Sequence, residues 1–323
     1  MKAVYIEQTG GVEALQYGER PKPAPGPGEA LVKVAYSGVN FIDTYHRVGL
    51  YKVPLPAILG SEAAGMVEQV GEGVTTLKPG DRVAYAMARG SYAEYHSVPV
   101  AQLVVVPAAV DLATAAAAML QGMTAHYLTH STFALKAGQT ALVHAAAGGT
   151  GRLLVQMCKM IGARAIGTVG SEEKAKLTLG DGASDAILYN TQDFVAEVKR
   201  LTDGKGVDVV YDSVGQTTFL KSFDCLKPRG LLASFGQSSG PAAPLDPLLL
   251  SSKGSLYLTR PTLGTYIAAR TDLEWRSRDL FDWIGSGKLK IRIDKKYPLA
   301  EAAQAHRDIE GRKTTGKLIL AIG

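Results

Sequence analysis

The stretch that most limits what this chain can fold into is Thr140-Ala141-Leu142-Val143-His144, followed by Ala145-Ala146-Ala147-Gly148-Gly149-Thr150-Gly151. An apolar run enters a glycine turn, and a helix-forming segment, Arg152-Leu153-Leu154-Val155-Gln156, begins at once. Glycines at such points let backbone N–H groups approach a diphosphate, and the positive end of the helix dipole adds to the attraction. The turn reads Ala-x-x-Gly-Gly-x-Gly rather than GxGxxG, and glycines alone would be a weak signal. The order of strand, turn, helix and next strand makes it a dinucleotide-binding turn. Residues 164–169, 186–188, 207–211 and 230–234 read as further strands, with helices expected over 149–161, 172–179 and 192–201. Such alternation predicts a doubly wound parallel sheet, an α/β fold.

The flanks differ. Residues 2–7, 30–36, 65–71 and 82–86 read as short strands, and the Pro- and Gly-rich stretch 21–28 as a loop. Many short strands with Gly/Pro turns suggest a small barrel or sandwich. Two helices are expected next, over 112–120 and 123–132. After residue 258 the alternation stops, with a helix expected over 272–284 and a strand over 317–322 that rejoins the first domain. The expected division is therefore 1–122 with 258–323, and 123–257.

Composition narrows the class. The 323 residues are 46% hydrophobic and 20% charged, as in a globular protein with a sizeable core. The net charge of +5 comes from Lys and Arg scattered among acids. That describes a solvated, mildly basic surface that also attracts an anionic ligand. No RNA-binding module and no basic stripe interleaved with aromatics is present, so nucleic acid is not an expected partner. Cys158 and Cys225 form no CxxC, which excludes a disulfide framework and fits a reducing compartment. No apolar run reaches the roughly 18 residues of a membrane span. The first residues read as a strand rather than a signal peptide, so a cytoplasmic enzyme is expected.

The end of the second strand of the alternating region bears on the cofactor. A site for NAD usually places Asp or Glu there for the ribose 2′-hydroxyl. Here the chain reads Val169-Gly170-Ser171-Glu172-Glu173-Lys174. Gly170 and Ser171 leave room for a 2′-phosphate, and Lys174 lies one helical turn on, which favours NADPH. Glu172 or Glu173 could instead bond a ribose, although acids at a helix start are ordinary dipole partners.

Several motifs, taken together, resemble the quinone oxidoreductase (zeta-crystallin-like) branch of the medium-chain dehydrogenase/reductase superfamily over essentially the whole chain. They are Asn40-Phe41-Ile42-Asp43-Thr44-Tyr45, Gly60-Ser61-Glu62-Ala63-Ala64-Gly65, Gly80-Asp81-Arg82-Val83, the glycine turn, Tyr211-Asp212-Ser213-Val214-Gly215, Ser234-Phe235-Gly236 and the run 254–261. The resemblance is to bacterial NADPH:quinone reductases in particular. It implies a GroES-like barrel built from both chain ends with the Rossmann domain between them, an active site in the interdomain cleft, and a homodimer paired through the cofactor domain.

The zinc-dependent branch needs a Cys and a His-Glu pair. The corresponding stretches here read Tyr36-Ser37-Gly38-Val39-Asn40 and Gly60-Ser61-Glu62, and no metal ligands are expected. His46, His96, His126, His130, His144 and His306 share no metal spacing and read as surface or satisfied core residues. Without a Lewis acid an alkoxide is not stabilised, whereas a quinone or enone delocalises the charge it receives. The expected substrate is therefore a quinone or related conjugated carbonyl. An alkenal or enone double-bond reductase is the alternative, and a crystallin-like RNA-binding or structural protein the rival from another class.

The resemblance also implies site residues. Asn40, Asp43, Tyr45 and Tyr51 are expected to line the cleft near the nicotinamide, with Phe41, Ile42 and Thr44 contacting cofactor. Without such roles the segment is a polar loop between strands. Gly148, Gly149 and Thr150 belong to the diphosphate turn. Gly170, Ser171, Lys174 and Tyr189 are expected on the adenine side, with Arg312 from the C-terminal segment. Ser213, Phe235, Gly236, Gln237 and Ser238 are expected to flank the nicotinamide half, with Arg260, Pro261, Thr262 and Tyr127 contributing.

Overall fold

A computed structural model describes residues 1–322. The chain forms two compact units, Met1–Met123 together with the segment from Tyr266 onward, and Thr124–Thr265.

In chain order the first unit begins with β1 (Lys2–Ile6), β2 (Gln16–Glu19), β3 (Glu29–Val39), α1 (Phe41–Arg47), β4 (Ala57–Ile58), β5 (Glu62–Val70), β6 (Arg82–Ala86), β7 (Tyr95–Pro99) and β8 (Val104–Val105). The helix α2 (Leu112–Tyr127) follows. The parallel region holds β9 (Thr140–Val143), α3 (Gly149–Ile161), β10 (Arg164–Val169), α4 (Glu172–Asp181), β11 (Asp185–Leu188), α5 (Phe194–Leu201) and β12 (Val207–Asp212). It continues through α6 (Phe219–Ser222), β13 (Leu226–Ser234), α7 (Leu248–Ser252), β14 (Tyr257–Thr259) and α8 (Leu263–Tyr266). The chain then returns to the first unit with α9 (Arg270–Gly285), β15 (Ile293–Pro298), α10 (Ala302–Glu310) and β16 (Lys317–Ala321).

The first unit is built on a sheet of order β15-β16-β3-β5-β6-β8, with β7 also on β3, and a smaller sheet of order β2-β1-β4. Side chains of a strand alternate between faces, so Ala30, Val32 and Val34 of β3 share one side. They meet Val83 and Tyr85 of β6 and Val98 of β7 in a single buried cluster. Each fully buried aliphatic side chain of this kind is worth roughly 1.5–3 kcal/mol. The strand expected over 317–322 does rejoin this unit, as β16 pairs antiparallel with β3.

The second unit has the parallel order β11-β10-β9-β12-β13-β14. Numbered from β9, this is the 3-2-1-4-5-6 order of a doubly wound dinucleotide fold. Strand β9 lies inside the sheet, and Ala141, Leu142 and Val143 are all fully buried, as expected where helices cover both faces.

Two expectations of the sequence need correction. Residues 112–132 do not form two helices, because α2 runs unbroken to Tyr127 and continues as one π-helical turn over Leu128–Thr132. Gly122 lies in the expected gap between the two, but a Cβ there would press on Leu280 of α9 at 3.0 Å. Its lack of a side chain serves close helix packing, which offsets the roughly 1 kcal/mol helix cost of glycine. The expected boundary at 257/258 falls inside β14, which pairs in parallel with β13 from Leu231↔Tyr257 to Ala233↔Thr259. Those ladder bonds keep residues 257–259 in the sheet.

Candidate functional site

In the second unit the chain leaves β9 at His144, and Ala145 takes a left-handed conformation with φ of 51°. Gly148 is the N-cap of α3 and makes no side-chain cap bond. A helix start leaves its leading N–H groups without intrahelical partners, and a glycine cap leaves them uncovered. Gly149 and Thr150 occupy the first turn. A Cβ on Gly151 would strike the Ala145 carbonyl and come 2.8 Å from Ala146 Cα, so only glycine lets α3 close onto the turn. His144 beside it is a satisfied core residue, with Nδ1 3.0 Å from Thr168 Oγ1 and Nε2 3.0 Å from Ser222 Oγ.

At the end of β10, Ser171 caps α4 by accepting the Lys174 backbone N–H at 3.3 Å. The Tyr189 hydroxyl lies 2.7 Å from the point a Cβ on Gly170 would occupy, and Tyr189 stays 43% exposed. Asn190 Nδ2 donates to the Gly170 carbonyl at 2.8 Å. Gly170, Ser171, Lys174 and Tyr189 therefore gather at one strand end, and Asn190 joins them. The one sequence signal for Asn190 is its residue type, a common turn former, placed directly after Tyr189. Glu172 and Glu173 are exposed in the first turn of α4, where the dipole favours them.

At the ends of β12 and β13, buried Asp212 organises the backbone. Its Oδ1 accepts from Val214 N at 2.7 Å, Gly215 N at 3.1 Å and Thr218 Oγ1 at 2.9 Å. Its carbonyl accepts from Phe235 N at 2.8 Å, and Ser213 O from Ser238 N at 3.2 Å. Gly236 lies so close to Ser213 that a Cβ would come 2.6 Å from the Ser213 carbonyl. Ser213, Phe235, Gly236, Gln237 and Ser238 are thus brought together, at the carboxyl ends of strands where doubly wound sheets take ligands. Arg260, Pro261 and Thr262 follow the neighbouring strand β14, with Pro261 buried. Tyr127 retains only 1% exposure, so its ring belongs to the packed interior rather than to an open surface. Arg312 lies in the other unit, exposed after α10, with φ of 55°.

In the first unit the segment after β3 is a capped helix rather than a polar loop. Asp43 Oδ2 accepts the backbone N–H of Asn40 at 2.9 Å, one arm of a capping box. The same carboxylate accepts from Ser61 Oγ at 2.6 Å and Tyr92 OH at 3.1 Å. Asp43 is fully buried. Burial pushes its carboxyl up to about 6, against the pull of Ser61, Asn40, Lys317 and Tyr92. Tyr92 continues to His306 Nε2 at 3.2 Å, and His306 Nδ1 faces Arg47 Nη1 at 3.1 Å. Arg47 ends in two bonds to Glu310, at 2.6 and 3.2 Å. Burial, then the Arg47 charge, lowers His306 to about 3.

Asn40 points its side chain into a second polar knot. Its Nδ2 donates to Glu62 Oε1 at 2.8 Å, while its Oδ1 accepts from Lys317 Nζ at 2.7 Å and Gln121 Nε2 at 3.4 Å. Glu62 also pairs with Lys317, and its Oε2 accepts the Leu120 N–H at 2.6 Å. Sequence reasoning misses Lys317, and Glu62 stands out there only as the place of an absent His-Glu pair. Around α1, Phe41 and Tyr45 lie 6.2 Å apart and Tyr45 and Tyr51 meet edge to face at 5.4 Å, all half-buried. Ile42 is half-buried, and the buried Thr44 hydroxyl donates back to the Phe41 carbonyl at 2.8 Å.

The donor set does not fit zinc. Ser37 Oγ donates to the Glu62 carbonyl at 2.8 Å, and the Ser61 hydroxyl is engaged by Asp43. Among the described residues no group of three or more His, Cys, Asp or Glu could hold a metal ion. No helix among them is long and apolar enough to cross a membrane.

Known proteins share the fold of both units. The family model for the alcohol dehydrogenase GroES-like domain matches residues 26–108, and that for zinc-binding dehydrogenase matches residues 182–320. The chain is 47% identical to a quinone oxidoreductase of Pseudomonas aeruginosa over 321 residues, covering 99% of both. It is 43% identical to a 2-haloacrylate reductase of a Burkholderia species, covering 98% of both. The crystal structure of Escherichia coli quinone oxidoreductase complexed with NADPH superposes with a TM-score of 0.97 at 44% identity, over 99% of this chain and 100% of that one. With full-length identity at this level, and with both a GroES-like barrel and a doubly wound sheet, the chain belongs to the quinone oxidoreductase family of the medium-chain dehydrogenase/reductases.

Proposed function

We propose that the protein is an NADPH-dependent quinone reductase that works without zinc. The observation that carries the reading is the end of β10, where glycine, a capping serine, a lysine and a tyrosine stand in place of a ribose-binding carboxylate. The groups present fit the cofactor. Gly148, Gly149 and Thr150 would hold the diphosphate at the start of α3, where Gly151 keeps the cradle open. Gly170, Ser171, Lys174 and Tyr189 would hold the 2′-phosphate end. Ser213, Phe235, Gly236, Gln237 and Ser238 would flank the nicotinamide half, with Arg260 and Thr262. NADPH, when bound, supplies a hydride from its nicotinamide ring.

The remaining work is positioning. Tyr45 and Tyr51 offer ring faces and edges against which a planar quinone packs. Asn40 offers an amide held in one orientation. A reduced quinone takes its protons from water, so orientation rather than a dedicated acid supplies the catalysis. The relative named 2-haloacrylate reductase keeps double-bond reduction as the alternative. The two readings separate in an assay that follows NADPH oxidation with 1,4-benzoquinone, 1,2-naphthoquinone and an unsaturated aldehyde. Turnover of the aldehyde alone would overturn the quinone reading.

The protein is further proposed to be a homodimer paired through the second unit. The support is β14, the last strand of its sheet, where Tyr257 is 59% and Leu258 36% exposed. An edge strand carrying large apolar side chains is a template for pairing with a second copy. A cytoplasmic location is the accompanying expectation.

A further inference from the structure

The pair Lys317–Glu62 is placed by strand register. Ser37 pairs with Ala63 across β3 and β5, so Gly38 falls opposite Glu62. Leu318 pairs with Val39 across β16 and β3, so Lys317 falls opposite Asn40. A Cβ on Gly38 would collide with the Glu62 carboxylate, so a glycine at 38 is what admits that group beneath the strand. Both charges are out of water, at 2% exposure for the Lys317 side chain and 0% for that of Glu62.

Burying two full charges is costly, and an apolar pair of similar volume would be at least as stable. The pair's distinctive effect is on a third residue. An Asn side chain can flip its amide end for end, because the two ends have the same shape. Here the cation lies at Oδ1 and the carboxylate at Nδ2. The flipped amide would face Nδ2 to an ammonium and Oδ1 to a carboxylate, two repulsive contacts in a dry interior. Lys317 and Gln121 donate to Oδ1 and Glu62 accepts one hydrogen of Nδ2, so one Nδ2 hydrogen stays uncommitted to this knot. Glu62 is itself fixed by the Leu120 N–H of α2.

We infer that Lys317 and Glu62 are positioning residues for the reduction, which lock the Asn40 amide in the one orientation that presents an N–H donor to the reactants. The inference rests on the reading of Asn40 given under Proposed function. Both side chains are out of contact with solvent, and the pair acts through Asn40.

The test is a double-mutant cycle on the NADPH-dependent quinone reduction of the intact enzyme. Single variants such as Lys317→Met leave a buried charge unpaired and serve only as references. The variant Glu62→Gln/Lys317→Met removes both charges together and keeps the volume, so its melting temperature should return to near that of the parent. Its kcat should nevertheless stay roughly ten- to a hundredfold low, the scale of a misoriented group. The dissociation constant for NADPH, read by fluorescence titration, should change little. Asn40→Ala should lower kcat in the parent and cost nothing further in the double variant, because the amide there is already unlocked. A double variant that regains kcat with its stability, or an Asn40→Ala cost equal in both backgrounds, overturns the positioning role alone. An Asn40→Ala variant with parental kcat overturns both that role and the reading of Asn40.

Discussion

The Tyr189 hydroxyl stands 2.7 Å from the point where a Cβ on Gly170 would lie, so the end of β10 and the end of β11 touch through a tyrosine and a glycine. No acid occupies that contact, and the first turn of α4 brings Ser171 and Lys174 to it. A hydrogen bond to a charged group contributes about 1.5–3 kcal/mol, so losing one weakens binding roughly ten- to a hundredfold. Lys174→Ala should raise the dissociation constant for NADPH by that factor and leave NADH nearly unchanged. The effect should shrink with salt, since an exposed charge contact is screened. Titration of both dinucleotides at two ionic strengths decides it. Equal weakening of both would hand the ribose to Glu172 or Glu173.

Purified protein should retain full quinone reduction after dialysis against EDTA or phenanthroline. The prediction rests on donor chemistry, with serines at 37 and 61 hydrogen-bonded within the fold. Both cysteines are buried in the second unit. Elemental analysis that finds about one tightly held zinc per chain, lost together with activity, would sink it.

Acid should destabilise the fold well above the range of ordinary carboxylates. Burial holds His96 and His46 near 4 and His306 near 3, with Arg89 adding to the effect at His46 and Arg47 at His306. Each has a folded value below its unfolded one, so the unfolded chain binds more protons below about pH 6.5 and stability falls as the pH drops. Asp43, raised to about 6, works in the opposite sense between about pH 6 and 4. Three histidines outweigh one aspartate there. Urea denaturation at steps from pH 7.5 to 4.5 should give a falling midpoint, with a shallower fall for His96→Phe. A midpoint that holds level to pH 4.5 would refute the assignment.

Charge on the sheet edge should split the dimer. Tyr257→Lys/Leu258→Lys places two ammonium groups where a second β14 would pair, and like charges facing across a two-fold interface repel. Light scattering after gel filtration should show two chains for the parent and one for the variant. A variant that still runs as two chains puts the interface elsewhere.

Local signals account for what the sequence made legible. The glycine turn, its flanking strand and helix, and the run from Gly170 to Lys174 are contiguous, and local chemistry fixes what they do. Lys317 was invisible because nothing within a few residues of it hints at Glu62. Their meeting depends on how β3 registers against β5 on one side and β16 on the other. The burial of Asp43 is illegible in the sequence for a related reason. Its neighbours in sequence are mixed, Ile42 before it and Thr44 after, and its burial depends on Tyr92 and Ser61, which lie far from it along the chain and donate to its carboxylate.

The antiparallel pairing of β16 with β3 has a consequence for synthesis. Glu62 leaves the ribosome 255 residues before Lys317, the cation that neutralises it. At about 5–20 residues per second, that interval is on the order of 10–50 s. Throughout it the nascent first unit has a carboxylate in its future core and no counter-charge, while the contiguous second unit emerges whole and can fold. The barrel is therefore completed last, and a stalled or truncated chain would carry a folded nucleotide domain together with an open sheet that a holdase chaperone must shield.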